Sequence, residues 1–265
     1  MVRAATGAVY VALVLGAAFA GELTSTLLFL PVCAIAAAEL SKLLAPQGEN
    51  NDATLHIVAA VLMFGSHVLG RFEPRWSTDH VIGSAAVVLL IALFVQLRSG
   101  SKDPARDFGG ILLALVLGAS FGSIVWYFAY DRWLFIGAML LLWTNDTGAY
   151  LVGRAMGRTK LLPAVSPKKT VEGLLGGILL TLGVAVLLAQ WQPVLDMTQW
   201  MICGVVVALS ATLGDLFESA LKRAKGVKDS GSLLPGHGGF LDRFDGFLLA
   251  VPCMLLTVRL LLGTR

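Results

Sequence analysis

The chain alternates long apolar stretches with short polar breaks from one end to the other. Nine such stretches stand out, at about residues 4–20, 26–44, 54–70, 81–97, 109–129, 133–153, 171–190, 198–217 and 246–264. A helix crossing a ~30 Å hydrocarbon core needs ~20 consecutive apolar residues. The stretches approach or meet that length. The pattern therefore predicts an all-α, polytopic integral membrane protein of about nine transmembrane helices. No internal repeat is visible, and no polar block between the stretches is long enough for a soluble domain. The first stretch, "MVRAATGAVYVALVLGAAFAGEL", has Arg3, an apolar run and a small-x-small "AFA". That combination resembles a cleaved signal peptide, but the apolar part exceeds the usual ~7–15 residues and a second stretch follows at once. A retained helix is expected.

Composition supports the membrane assignment. Hydrophobic residues make up 57% of the 265 and charged residues 14%, against about a quarter charged in soluble domains. The net charge of +3 is small and points to no nucleic-acid partner. Its placement says more. With nine crossings, Arg3, Lys42, Arg98, Lys102, Arg106, Arg154, Arg158, Lys160, Lys168, Lys169, Lys222, Arg223, Lys225, Lys228 and Arg243 share one side. Only Arg71, Arg75, Arg132, Arg259 and Arg265 lie on the other. Basic residues concentrate in cytoplasmic loops, which puts the N-terminus and the basic loops in the cytoplasm. Cys33, Cys203 and Cys253 occupy separate apolar runs without a CxxC, so neither a disulfide framework nor a zinc site is expected.

The polar residues that interrupt the pattern carry the candidate chemistry. Asp146 sits in "LLLWTNDTGAYLVG", where an ionisable group is costly and suggests a functional site. The plain alternative is helix–helix hydrogen bonding by Asn145 and Thr147, with Asp146 near the cytoplasmic mouth. Asp215 and Glu218 are three apart and share a helix face. Glu218 also suits a simple pair with Lys222 at i+4, an explanation that fits Asp215 less well, between Leu213 and Leu216. Asp242 and Asp245 are again three apart, at the start of the last stretch, where helix capping is the alternative. Four carboxylates at two helix ends form the oxygen-rich setting that hard cations favour.

Basic residues supply the complement. In "SPKKT", Ser166, Lys168, Lys169 and Thr170 lead into a helix whose first N–H groups suit an anion. Gly236, Gly238 and Gly239 permit a tight turn whose amides can approach phosphate oxygens. His237 within that turn is open between ligand, phosphate contact and turn donor. Acids for a metal and bases for phosphates together imply metal-assisted phosphoryl or nucleotidyl transfer at the cytoplasmic surface. The chain divides accordingly into 1-140, five helices and the start of a sixth, and 141-265, a catalytic region with cytoplasmic loops 154-170 and 219-245.

Two segments resemble a known family. "SALKRAKGVKDSGSLLPGHGGFLDRFD" (219–245) is similar to the signature of the phosphatidate cytidylyltransferases, or CDP-diacylglycerol synthases. "NDTGAYLVGRAMGRTKLLPAVSPKKTVEG" (145–173) resembles a second family segment. Residues 1–140 are similar only in being helical and apolar, with Glu39 matching a family acid. The resemblance implies that CTP and phosphatidic acid give CDP-diacylglycerol and pyrophosphate. It implies Mg2+, with K+ as a second ion, held by Asp215, Asp242 and Asp245, with Asp146 a weaker candidate. Lys168, Lys169, Lys222, Arg223, Lys228 and Arg243 would neutralise phosphates; Asp215, Asp242, Asp245, Lys169 and Lys228 are expected to be catalytic. Ser166, Asp229, His237 and Gly238 would orient these groups or contact the nucleotide. It further implies a homodimer in the bacterial inner membrane, with the active site facing the cytoplasm. The rivals are a CTP-dependent polyprenol or dolichol kinase and, in a different class, an ion-coupled transporter using Asp146.

Overall fold

A computed structural model describes residues 2–45, 53–73, 78–98, 103–231 and 238–263. Among these the chain is almost entirely helical: α1 (Val2–Ala20), α2 (Glu22–Leu44), α3 (Thr54–Phe72), α4 (Thr78–Arg98), α5 (Pro104–Gly122), α6 (Ile124–Phe128), α7 (Arg132–Met156), α8 (Val171–Trp191), α9 (Met197–Ala224), α10 (Leu241–Phe244) and α11 (Phe247–Leu262). Each of the nine apolar stretches falls on a helix, one of them shared by α5 and α6.

Six segments are long and apolar enough to cross a membrane among the described residues: Glu22–Leu44, Thr54–Phe72, Ala105–Phe128, Val171–Trp191, Met197–Ala224 and Leu241–Leu262. The helix α7 is not among them, because its Asn145-Asp146-Thr147 run dilutes its apolarity. Large apolar side chains such as Leu90, Leu179, Trp191 and Leu260 are exposed. In water such surface would drive association; in a bilayer it faces lipid. The protein is an integral membrane protein with an all-α fold.

Among the described residues the only strands are a short antiparallel hairpin, β1 (Lys160–Leu162) and β2 (Ser166–Thr170), which falls in the segment expected to be a loop. Pro163 begins a turn closed by the Val165 N–H on the Leu162 carbonyl at 3.1 Å, and proline suits the second position of such a turn.

The chain forms two compact units. The first comprises Met1–Trp126 and Asp229–Arg243, the second Tyr127–Lys228 and Phe244–Arg265. In the first, α2, α3 and α5 pack around Phe29, Phe64 and Phe121, all buried. Gly118 of α5 lies so close to the Ala60 carbonyl of α3 that any side chain there would collide. Asp103 caps α5 by accepting from the Arg106 N–H at 3.0 Å, with Pro104 at the first helical position, where its missing N–H costs nothing.

In the second unit α7, α8, α9 and α11 form a bundle that carries the hairpin. Its helix starts are well capped. Asp131 accepts from the Trp133 N–H at 2.9 Å and Thr170 from the Gly173 N–H at 3.1 Å. Asp196 and Gln199 form a reciprocal capping box before α9, satisfying two otherwise orphaned donors. Trp200 is fully buried, packed over Gly137 of α7.

Candidate active site

The second unit brings the two polar motifs of α7 and the hairpin together with α9. Its base is the contact between α7 and α8. Gly176 packs against Val152, and Gly177 lies beside Asn145, at distances that leave no room for a side chain. Small residues let membrane helices approach this closely. Asn145 is buried and Asp146 is exposed beside it.

The hairpin is fastened to the start of α8. The Glu172 carboxylate accepts from the Arg158 N–H at 3.1 Å and the Thr159 N–H at 3.0 Å. The Thr170 hydroxyl caps the helix from the last strand residue. Strand β2 is thereby fixed over the ends of α7 and α9. There Lys169 Nζ forms an ion pair with Asp215 Oδ2, while Ser219 Oγ donates to Asp215 Oδ1 at 3.2 Å.

These elements enclose a pocket of about 450 Å3. Asp146 and Asp215 supply its negative charge; Arg154, Lys168 and Lys169 supply its positive charge. Tyr150, Leu161 and Leu174 give it an apolar side. Arg154 Nη1 donates to the Tyr150 hydroxyl at 3.1 Å. A pocket with both signs of charge and an apolar margin suits a ligand that is anionic at one end, accompanied by a cation.

The fit to Mg2+ follows from the donor set. Among the described residues no cluster of three or more acids, histidines or cysteines is close enough to form a protein-only metal cage. Two carboxylates, Asp146 and Asp215, share the pocket. Mg2+ is commonly held by one or two carboxylates plus substrate phosphates and water, so the donor set fits an ion that arrives with a phosphate ligand.

The remaining sequence candidates fall in several places. Asp245 lies at the start of α11, its carboxylate accepting from the Gly246 N–H at 2.6 Å. Its backbone carbonyl is packed against Gly214 of α9, and it is within electrostatic reach of Asp215, Glu218 and Asp146. Asp242 belongs to the first unit, where Oδ2 accepts from the Ser230 N–H at 2.9 Å and the Gly239 N–H at 2.8 Å. Gly238, beside Asp229, has φ +82°, a conformation that favours glycine. His237 lies outside the described residues. Ser166 pairs with Leu162 in the hairpin. Lys228, Asp229 and Arg243 are exposed, and Arg223 Nη1 donates to the Val227 carbonyl at 3.0 Å, closing the end of α9.

Lys222 is buried, its ammonium 2.7 Å from Glu218 Oε2 with both side chains at most 10% exposed. Removing one partner of a buried pair is costly because the other charge stays behind, typically ~3–5 kcal/mol. Lys222→Met is thus expected to destabilise the protein by about 3 kcal/mol. Thermal unfolding in detergent checks this; adding Glu218→Leu should recover most of the loss, and a neutral single variant would discount the pair. Sequence reasoning did not single out Tyr150 or Arg154 as pocket residues, although both lie within the "GAYLVGR" run that follows Asp146.

Comparison with known proteins identifies the family. Residues 1–261 match the model of the cytidylyltransferase family. The phosphatidate cytidylyltransferase of Staphylococcus epidermidis is 50% identical over 119 residues, which cover 44% of this chain and 45% of that protein. That of Staphylococcus aureus is 49% identical over the same length and shares. The match thus spans less than half the length of these two relatives. The phosphatidate cytidylyltransferase of Staphylococcus saprophyticus is 35% identical over 190 residues, 71% of this chain and 73% of that protein. The chain belongs to the cytidylyltransferase family.

Proposed function

We propose that the chain is a phosphatidate cytidylyltransferase. A phosphate oxygen of phosphatidic acid attacks the α-phosphorus of CTP, the bond from that phosphorus to the bridging oxygen of the β-phosphate breaks, and pyrophosphate leaves. CDP-diacylglycerol is the lipid product. The single observation that carries the proposal is the pocket in which Lys168, Lys169 and Arg154 face Asp146 and Asp215 among otherwise apolar helices. The names of the relatives supply the substrates.

The attacking phosphate is already largely ionised near neutral pH, its second pKa being about 6. A strong general base is therefore unnecessary, and the work left to the protein is charge neutralisation and alignment. Lys168 and Lys169 would bind phosphate oxygens, with Arg154 at the margin for the second anion. Asp146 and Asp215 would hold Mg2+, which supplies Lewis-acid polarisation and a template when bound. Asp245, close to that pair, is a further candidate ligand; Asp242 is proposed on the motif alone, as is K+ as a second ion. Lys228, Arg223, Arg243, Asp229, Ser166 and His237 are likewise proposed substrate contacts on the motif. Lys222, expected from the motif to neutralise phosphate, is buried against Glu218 and is proposed as half of a structural pair instead. The acyl chains would reach the pocket from the bilayer past Tyr150 and Leu174. The cytoplasmic face of a bacterial inner membrane and a homodimeric state complete the proposal.

The test is direct. Purified protein with phosphatidic acid, Mg2+ and CTP labelled at the α-phosphate is expected to yield labelled CDP-diacylglycerol, and chelation of the metal to stop it. Lipid labelled only from γ-labelled CTP would replace the proposal with a lipid kinase. No labelled lipid from either would overturn it.

A further inference from the structure

Glu39 is the only acid in the apolar part of α2 that follows Glu22, and it is 2% exposed. A buried carboxylate is costly unless it is satisfied, and an apolar residue would pack among the neighbouring alanines without that cost. Glu39 Oε1 is buried without a hydrogen-bond partner among the described residues, and Oε2 carries the contacts. Its Oε2 accepts from the Leu241 N–H at 2.8 Å and from the Ser230 hydroxyl at 3.2 Å. The residues it meets are about two hundred positions later in the chain, at the two ends of the Gly-rich signature segment.

The same two ends are held a second time by Asp242, through the N–H groups of Ser230 and Gly239. Ser230 is therefore gripped by two carboxylates, one on its hydroxyl and one on its amide. Gly231 and Gly239 press directly on the Glu39 carboxylate, and a side chain at either position would collide with it. The glycines and the glutamate are complementary: the carboxylate fills the space that the missing side chains leave. All of these residues lie within the first unit.

We infer that Glu39 is a positioning residue for the reaction proposed above. It fixes the two ends of the signature segment, and with them the carboxylate of Asp242, in a set geometry; it does not itself meet substrate. The inference rests on the proposed function for its consequence in catalysis, while the anchoring can be measured without turnover.

The experiment compares the full chain in lipid nanodiscs with Glu39→Leu, which removes the acceptor, and the near-isosteric Glu39→Gln, whose amide oxygen can accept the same two bonds. In Glu39→Leu, peptides containing the Ser230, Gly239 and Leu241 amides are expected to exchange hydrogen at least about tenfold faster, while peptides from α7 and α8 do not change. kcat for cytidylyl transfer should fall about a hundredfold, with KM for CTP within about threefold, the signature of an effect exerted on the reacting arrangement. Glu39→Gln should restore both exchange and kcat. Unchanged exchange in Glu39→Leu overturns the inference. So does faster exchange spread evenly over the chain, or a Glu39→Gln variant as impaired as Glu39→Leu. A wild-type protein without cytidylyl transfer overturns the proposed function instead, and the exchange comparison alone then decides whether Glu39 anchors the segment.

Discussion

Asp215→Asn is expected to lower kcat for cytidylyl transfer by about a thousandfold while leaving the protein folded. The side chain keeps its size and can still accept from Ser219, so α9 has no reason to move. What is lost is charge: Lys169 loses its ion pair with the Asp215 carboxylate, and a neutral amide is a poor ligand for a hard divalent ion. The measurement is steady-state turnover with CTP and phosphatidic acid beside a melting curve. Lys169→Met should be similarly impaired. The two substitutions together should cost much less than the product of their separate effects, because residues that act as a unit are not additive. Multiplicative losses would separate Lys169 from Asp215, and a fully active Asp215→Asn would remove Asp215 from the chemistry.

The second large effect is expected at the helix contact beneath the pocket. Gly176→Leu places a branched side chain where even a Cβ would overlap Val152. Overpacking of this kind costs ~1–3 kcal/mol and at times more. Here the displaced neighbour is a β-branched side chain on a rigid helix, so the upper end is expected. For a protein of this size, about 3 kcal/mol corresponds to a fall of roughly 10 °C in melting temperature. Gly183 on the same helix supplies the control, because a Cβ there meets nothing within 4 Å. Gly183→Leu should melt like the wild type. Equal melting temperatures for the two variants would dismiss close packing as the reason for glycine at position 176.

Much of the helical frame was legible because hydrophobic runs are a local property. Each apolar stretch became a helix, and the interruption at Asn145-Asp146-Thr147 marked the part of α7 that lines the pocket. The Glu218–Lys222 pair was also readable, since i,i+4 spacing places the two on one face; the simpler explanation of Glu218 is the one that α9 displays. The hairpin was not legible. "SPKKT" has no alternation of apolar and polar residues, and its strand character comes from a local partner, β1, and from the grip of Glu172 on Arg158 and Thr159. The role of Glu39 was equally hidden: its partners are set by tertiary folding, and nothing near position 39 names Ser230 or Leu241. Asp242 and Asp245 look alike in sequence, three residues apart, yet one serves amides in the first unit and the other packs at α9 in the second.

The fastening of the hairpin has one more consequence. A two-stranded ribbon this short has little stability alone, and Thr170 and Glu172 weld it to the first turn of α8. Lys168 and Lys169 therefore ride on α8 as if they were part of that helix. Any sliding of α8 along α7 would carry both ammonium groups past Asp146 and Asp215 together. Lys168 and Lys169 are thus mechanically part of α8, whereas Arg154, the third cation of the pocket, belongs to α7.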